Sequence, residues 1–347
     1  MHEMIPGSPA LSDFDHAPAR LTVDLGAVVD NWRRLAKLSG RAKTSAVVKA
    51  DAYGVGAAEV GTELAAAGCD TFFVATPAEG ARLRATLADA RIFVLTGLWP
   101  GMETLIFANR LIPVLGSIEQ LAFFHSCGRN HPYALYIDTG MNRLGLTVEE
   151  AAVLTHTAGP RPDLVMSHLA CPDDPQHPMN RRQCQSFQAV ARLFEGVEAS
   201  LSSSAGIFLG HDYHFDLTRP GIALYGGEAV SGTPNPMRPV VKAEARILQI
   251  RSVRRGDAAS YGATHIFDRD SRVAIVGAGY ADGWQRSMSG SGVVARENGS
   301  LGAFGFVAGM RMPIVGRITM DLRRQQRAGK PRPRGRLCGT VRGQYQH

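Results

Sequence analysis

The sequence predicts an α/β protein: a (β/α)8 barrel of the TIM type followed by a mostly β C-terminal domain. Three observations predict it. Eight short apolar runs recur between residues 45 and 221, several of them separated by segments with helical spacing. The runs are continuously apolar rather than alternating, the pattern of strands covered on both faces. After about residue 235 the helical segments stop, and strand-like runs are joined by glycine turns.

The eight runs are "SAVVKA" (45–50), "TFFVAT" (71–76), "RIFVLT" (91–96), "LIPVLG" (111–116), "YALYID" (133–138), "LVMSHL" (164–169), "ASLSSS" (199–204) and "HFDLTRPG" (214–221). Between them, "AAEVGTELAAAG" (57–68) is alanine-rich with apolar residues at helical spacing. "SIEQLAFFHS" and "TVEEAAVLTHTA" open with Ser or Thr followed by Glu in the first turn, which satisfies the free N–H groups of a helix start. "PMNRRQCQSFQAVARLF" (178–194) begins with a proline, whose missing N–H costs nothing there. Eight such units suit a closed barrel. A doubly wound open sheet is the alternative, and it would ordinarily carry a glycine-rich dinucleotide loop after its first strand, which is absent here. The later runs "VKAEARILQIRSV", "RVAIVGAGYADGW", "GVVAR" and "MRMPIVGRITMD" make the β domain. The expected organisation is therefore an N-terminal segment 1–44 packing partly with the C-terminal domain, a barrel over 45–235, a β domain over 236–321, and a basic tail over 322–347.

Composition narrows the function. The 347 residues carry a net charge of +7, but residues 322–347 hold eight Lys and Arg and no acid, leaving 30 basic and 31 acidic residues in the first 321. The body is near neutral, which argues against nucleic acid as a partner; a tail that bound nucleic acid would lose affinity steeply with salt. No stretch approaches the roughly 20 apolar residues of a membrane span. The start lacks the basic-then-apolar pattern of a signal peptide. Five scattered cysteines, Cys69, Cys127, Cys171, Cys184 and Cys338, show neither metal spacing nor a disulfide framework. A reducing cytoplasm is expected, and no metal site.

In β/α barrels active sites gather at the C-terminal ends of the strands. Lys49 ends the first run. Asp138 ends the fifth, with Arg143 just beyond it. His168 ends the sixth, Ser203 and Ser204 the seventh, and Arg219, Gly221 and Ile222 follow the eighth. Taken singly, each has a plain reading: a snorkelling lysine, a capping aspartate, a core histidine, a surface arginine. Their shared placement at one rim outweighs those readings. Loops after the seventh and eighth strands commonly hold phosphate, and here they supply two hydroxyls and a glycine. A lysine facing such a cradle points to pyridoxal phosphate.

Seven motifs, "AVVKADAYGVG", "DTGMNRLGL", "SHLACPDDPQHPMN", "TRPGIALYG", "SYGATH", "GYADGW" and "VGRITMD", run in unbroken order and together resemble the alanine racemase family. The resemblance implies interconversion of L- and D-alanine for peptidoglycan by two bases, in a homodimer whose sites are completed by the partner's β domain. It implies that Lys49 carries the cofactor and is one base, and that Tyr261 of the other chain is the second. It implies that Tyr53, Ser204, Gly221 and Ile222 hold the phosphate, and that Arg219 faces the ring nitrogen beside His168. Arg143 and the Met320 backbone of the other chain are expected to meet the substrate carboxylate, and Tyr280 to narrow the entrance.

Three departures from the family pattern stand out. Position 136, a modified lysine in some members, is tyrosine, so Arg143 is expected to be held by the Tyr136 hydroxyl or by an anion. Position 203, often asparagine, is serine. The resemblance stops after "VGRITMDL", and the arginine-rich remainder reads as a truncated or frameshifted end without fixed structure. A barrel that binds the cofactor but turns over little alanine is the alternative reading on that account.

Overall fold

The computed structural model describes residues 17–128, 130–156, 160–286, 304–307 and 309–321, together with the backbone of two further strands, Arg323–Arg327 and Cys338–Val341. The chain divides into two compact units. One runs from Asp24 to Val240; the other joins the N-terminal residues up to Val23 to the chain from Val241 onward.

The first unit is the barrel. Seven parallel strands follow one another in sequence order: β3 (Ala46–Val47), β4 (Thr71–Val74), β5 (Arg91–Val94), β6 (Ile112–Leu115), β7 (Ala134–Tyr136), β8 (Leu164–Met166) and β9 (Glu198–Ser200). The eighth, β10 (Leu217–Thr218), pairs in parallel with β2 (Lys43–Thr44). It also closes the ring. On one side Asp216 N–H donates to the Ala199 carbonyl (3.0 Å) and Arg219 N–H to Ser202 (2.8 Å). On the other side Ser45 N–H donates to Thr218 (2.9 Å) and Val47 N–H to Pro220 (2.9 Å). Strands β4 and β6 are buried at every residue, as continuous apolar runs require of a sheet covered on both faces. The interior is a packed core of Val47, Phe73, Phe93, Val114, Tyr136 and Met166, with the Phe73 and Phe93 rings stacked 4.8 Å apart.

The helices form where their first turns are satisfied. Ser117 and Thr147 cap Ile118–Cys127 and Val148–Leu154, and Thr147 with Glu150 closes a reciprocal capping box. His177 Nδ1 accepts from Met179 N–H at the start of Pro178–Leu193, whose proline occupies the first turn. A helix at Leu25–Ser39 was not expected. It buries Ala27, Val28, Val29 and Leu35, and its buried Asn31 donates to the Leu224 and Arg238 carbonyls and accepts from Arg238 N–H. These bonds divide the N-terminal segment at residue 24, so the barrel unit spans 24–240 rather than 45–235.

The second unit is antiparallel. Its sheet runs β1 (Ala19–Val23), β11 (Val241–Val253), β14 (Ser271–Val276), β17 (Arg323–Arg327), with β18 (Cys338–Val341) also paired to β11; β12 (Ala258–Ala259) pairs with β13 (His265–Ile266) and β15 (Phe304–Val307) with β16 (Met310–Pro313). The thirteen-residue β11 is long enough to pair with β1 over 241–245 and with β14 over 247–253, the latter with a bulge between Ile247 and Gln249. Two short turns, Tyr261–Ala263 and Tyr280–Asp282, carry the residues picked out in this half.

Strands β17 and β18 correct the expectation that 322–347 lacks structure, since nine of those residues pair with β14 and β11. Strand pairing is a backbone interaction, so a segment without an apolar pattern can still extend a sheet through its N–H and C=O groups. The run "GVVAR" lies outside the described residues.

Candidate active site

Lys49 leaves the barrel into a strained turn. Ala50, Asp51, Ala52 and Tyr53 all have positive φ, between 51° and 59°. Left-handed backbone costs an L-residue about 1–2 kcal/mol, so four in succession cost on the order of 4–8 kcal/mol. The surroundings hold it there. Ala52 N–H donates to Val48 (2.9 Å), and the Asp51 carbonyl accepts from Val55 and Gly56 (3.1 and 3.0 Å). Asp51 Oδ1 accepts from Ala57 N–H (2.8 Å), and Glu79 Oε1 from Ala50 N–H (3.1 Å). Strain maintained in this way clusters at functional sites. The turn brings Tyr53 across to Tyr225, rings 4.7 Å apart. There its hydroxyl stands against Gly221, where any Cβ would collide with it.

The phosphate-type cradle is built from the ends of β9 and β10. Ser204 Oγ is buried and accepts from Gly221 N–H (2.9 Å) and Ala223 N–H (3.2 Å). Ile222 opens the following turn, Ile222–Tyr225. Ser203 bridges to Arg219 through the backbone.

Arg219 is 3% exposed. Its guanidinium donates to Ser200 Oγ, to the Ser167 carbonyl (2.5 Å) and to the Leu201 carbonyl (3.3 Å). Burial pushes it down to about 10, with Tyr136 pulling the other way, so it is a cation at neutral pH. His168 is half-buried by accessible surface, yet protein atoms crowd it on nearly every side. Burial, and then the charges of Arg219, Arg143 and Lys49, press it down to about 3, so it is a neutral imidazole. Lys49 is lowered by burial and by Arg143, against an opposing pull from Glu79. One mouth thus gathers three cationic side chains and a histidine that cannot become a fourth.

Asp138 organises the next loop. Oδ1 accepts from Gly140 and Met141 N–H (both 2.7 Å), and Oδ2 from Arg143 N–H (3.0 Å). The plain reading of Asp138 as a capping group describes this geometry. The Arg143 side chain is exposed. The Tyr136 hydroxyl does not hold it: that oxygen is buried and has no hydrogen-bond partner.

Tyr261, Tyr280 and Met320 belong to the second unit. Tyr261 is 72% exposed on a turn pinned by Ser260 Oγ donating to the Arg317 carbonyl (2.8 Å). Tyr280 N–H donates to Thr319 and Ala281 N–H to Met320 (both 3.0 Å), so the Tyr280 turn and the bend at Met320 are laced together. Met320 and Tyr280 are exposed as well. Among the described residues no cluster of His, Cys, Asp and Glu could hold a metal ion, and no helix is long and apolar enough to cross a membrane.

Sequence reasoning missed Glu79, Ser167 and Ser200. Glu79 reads as the capping glutamate of Thr76-Pro-Ala-Glu, and only its side-chain direction shows that it serves Ala50. The two serines are polar residues within the runs "LVMSHL" and "ASLSSS", a signal that could have marked them as partners of a buried cation.

Comparison with known proteins bears on the same residues. Residues 23–229 match the family model for the alanine racemase N-terminal domain, and 240–324 that for the C-terminal domain. The chain is 58% identical over 316 residues to the biosynthetic alanine racemase of Agrobacterium fabrum, covering 89% of this chain and 81% of that one. It is 44% identical over 314 residues to the catabolic alanine racemase of the same organism, covering 88% and 78%. The crystal structure of alanine racemase from Bartonella henselae, described as having covalently bound pyridoxal phosphate, superposes with a TM-score of 0.83 at 34% identity, covering 94% of this chain and 91% of that one.

Proposed function

The chain belongs to the alanine racemase family, a family of pyridoxal-phosphate-dependent isomerases, and from that premise we propose how its own residues divide the interconversion of L- and D-alanine. The observation that carries the proposal is the meeting, at one barrel rim, of Lys49, Arg143, His168 and Arg219 with the cradle of Tyr53, Ser204 and Gly221.

These residues fit the cofactor. A planar ring bearing a phosphate and a phenolic oxygen suits a mouth with three cations, a backbone approach kept open by a glycine, and a buried phenol, that of Tyr136, left without a protein partner. Lys49 would hold it covalently. Tyr53, Ser204, Gly221 and Ile222 would hold the phosphate, with His168 and Arg219 beside the ring. When bound, the cofactor supplies the conjugated electron sink that a weakly acidic α-proton needs. Racemisation also needs one base on each side of the planar carbon. Lys49 Nζ moves the proton on one face, and its lowered pKa makes the free amine available below the range of an ordinary lysine. Tyr261 Oη of a second chain moves it on the other. Its high exposure within its own unit suits a residue offered to a partner. Arg143 and the Met320 backbone of the second chain receive the substrate carboxylate, and Tyr280 limits what enters. The working form is a homodimer in the cytoplasm. The higher identity to the biosynthetic than to the catabolic relative favours D-alanine supply for peptidoglycan.

The test is a mixture of Lys49→Ala and Tyr261→Phe chains, each inactive alone. Each hybrid dimer has one site with both native bases and should regain about half of wild-type activity, or about a quarter averaged over a random one-to-one mixture, since each site needs both groups. Verified subunit exchange with no rescue would place both bases in one chain. The cradle is tested by Gly221→Ala, whose methyl group must displace the Tyr53 hydroxyl. The dissociation constant for pyridoxal phosphate should rise about tenfold, equivalent to about 1.4 kcal/mol. An unchanged constant by fluorescence titration would remove Gly221 and Tyr53 from the phosphate site.

A further inference from the structure

We infer that Glu79 is a positioning residue for Lys49: its carboxylate ties the first peptide after Lys49 to the end of the neighbouring strand, and so holds the left-handed turn that sets both the lysine amine and the Tyr53 hydroxyl. This rests on the reading of Lys49 and Tyr53 above. Glu79 lies in the first turn of the helix Pro77–Thr86, where its own N–H donates to the N-cap hydroxyl of Thr76 (3.3 Å). In a capping box its side chain would fold back onto Thr76 N–H. It reaches elsewhere. Oε2 accepts from Ala75 N–H (2.7 Å), just past β4, and Oε1 from Ala50 N–H (3.1 Å), just past β3. One carboxylate therefore joins the exits of two adjacent barrel strands at the rim where the chemistry sits.

The placement matters because the turn has little else to hold its first residue. Ala50 is exposed and has a positive φ without being glycine. Asp51 secures the far end of the turn, through Ala57, Val55 and Gly56. Glu79 secures the near end. A hydrogen bond to a charged acceptor is stronger than a neutral one, and here it acts on the peptide that directly follows Lys49. The charge also reaches the amine: Glu79 favours the protonated lysine, against burial and the Arg143 cation. The Lys49 charge also acts on His168, which is held neutral, while the Tyr53 phenol four residues on is raised by burial.

The experiment uses Glu79→Gln and Glu79→Asp. The first keeps the size and loses the charge and one acceptor; the second keeps the charge and loses reach. In cofactor-free protein, arylation of Lys49 by trinitrobenzenesulfonate is followed against pH, with peptide mapping to isolate that lysine. Removing a nearby anion lowers the pH at which the amine becomes reactive, so the Glu79→Gln midpoint should fall, and the Glu79→Asp midpoint should stay near wild type. In the holoenzyme both variants should lose between about tenfold and a hundredfold in kcat, the scale of a small misplacement of a reacting group, with the KM for alanine little changed. A Glu79→Gln protein with a wild-type labelling profile and kcat overturns the inference, whether its melting temperature falls or not. If Glu79→Gln does not fold, a wild-type kcat in Glu79→Asp overturns it equally. Failure of the wild type to bind pyridoxal phosphate at Lys49 would instead overturn the reading of the site, and the labelling comparison would still decide the part played by Glu79.

Discussion

Replacing Lys49 by alanine is expected to abolish measurable racemisation. A positioned general base alone contributes typically about 10²–10⁴-fold, and Lys49 is proposed to carry the cofactor as well, so the losses compound. Lys49→Arg keeps the charge but gives an amine substitute that stays protonated, and it should be as inactive. The barrel should survive either change, because Lys49 lies beyond β3 and outside the packed interior of Val47, Phe73 and Phe93. Formation of D-alanine from L-alanine measures the activity. Borohydride reduction of the wild type, followed by peptide mapping, should place the cofactor on Lys49. A label on any other lysine, or activity retained in Lys49→Ala, would remove Lys49 from the centre of the site.

Arg219→Glu is expected to change what the enzyme makes. A guanidinium offers donors only and, even pushed down to about 10, remains a cation at neutral pH. With the cofactor bound beside it, Arg219 would offer the pyridine nitrogen only donors, so that nitrogen would stay unprotonated, which would favour prompt return of the proton. A carboxylate in its place would allow that nitrogen to be protonated. Racemisation should fall by about 10²–10³-fold, the usual cost of one misplaced electrostatic group, while transfer of the amino group to the cofactor rises. The substitution also strips the Ser167 and Leu201 carbonyls of their buried donor, each at about 1–3 kcal/mol, so melting temperature is measured beside activity. Arg219→Ala separates the effects, since it shares the lost donors but adds no carboxylate. An equal product ratio in Arg219→Glu, Arg219→Ala and wild type, with the cofactor bound, would rule out control by the arginine.

Much of this was legible in the chain. All eight barrel strands overlap the eight runs, and β3 to β8 do so because a strand buried on both faces is apolar at nearly every residue. Helix starts at Ser117 and Thr147 were readable because capping is local chemistry between residues three apart. The placement of Lys49, His168, Ser204 and Arg219 at strand exits followed from counting strands. The helix Leu25–Ser39 carries the same local signals, Asp24 accepting from Ala27 N–H at its start and Gly40 at its end, and was overlooked; only its docking, through Asn31 to Leu224 and Arg238 some 200 residues away, is beyond a local reading.

The sequence by itself determined the order of the strands, the residue types at each strand exit and the family. Each of these is written in runs or motifs a few residues long. Only the tertiary structure decided the rest. No local propensity asks Ala50, Asp51, Ala52 and Tyr53 to turn left-handed; the surrounding bonds impose it against their intrinsic preference. Nothing near Glu79 in the chain shows that its carboxylate bridges two strand exits. The neutrality of His168 comes from burial and from three cations delivered by different strands. The pairing of the basic strand Arg323–Arg327 and of Cys338–Val341 comes from the backbone N–H and C=O groups that β14 and β11 offer, which composition does not record. Strain, pKa and edge pairing depend on what lies within a few ångströms in space, and distance along the chain does not record it.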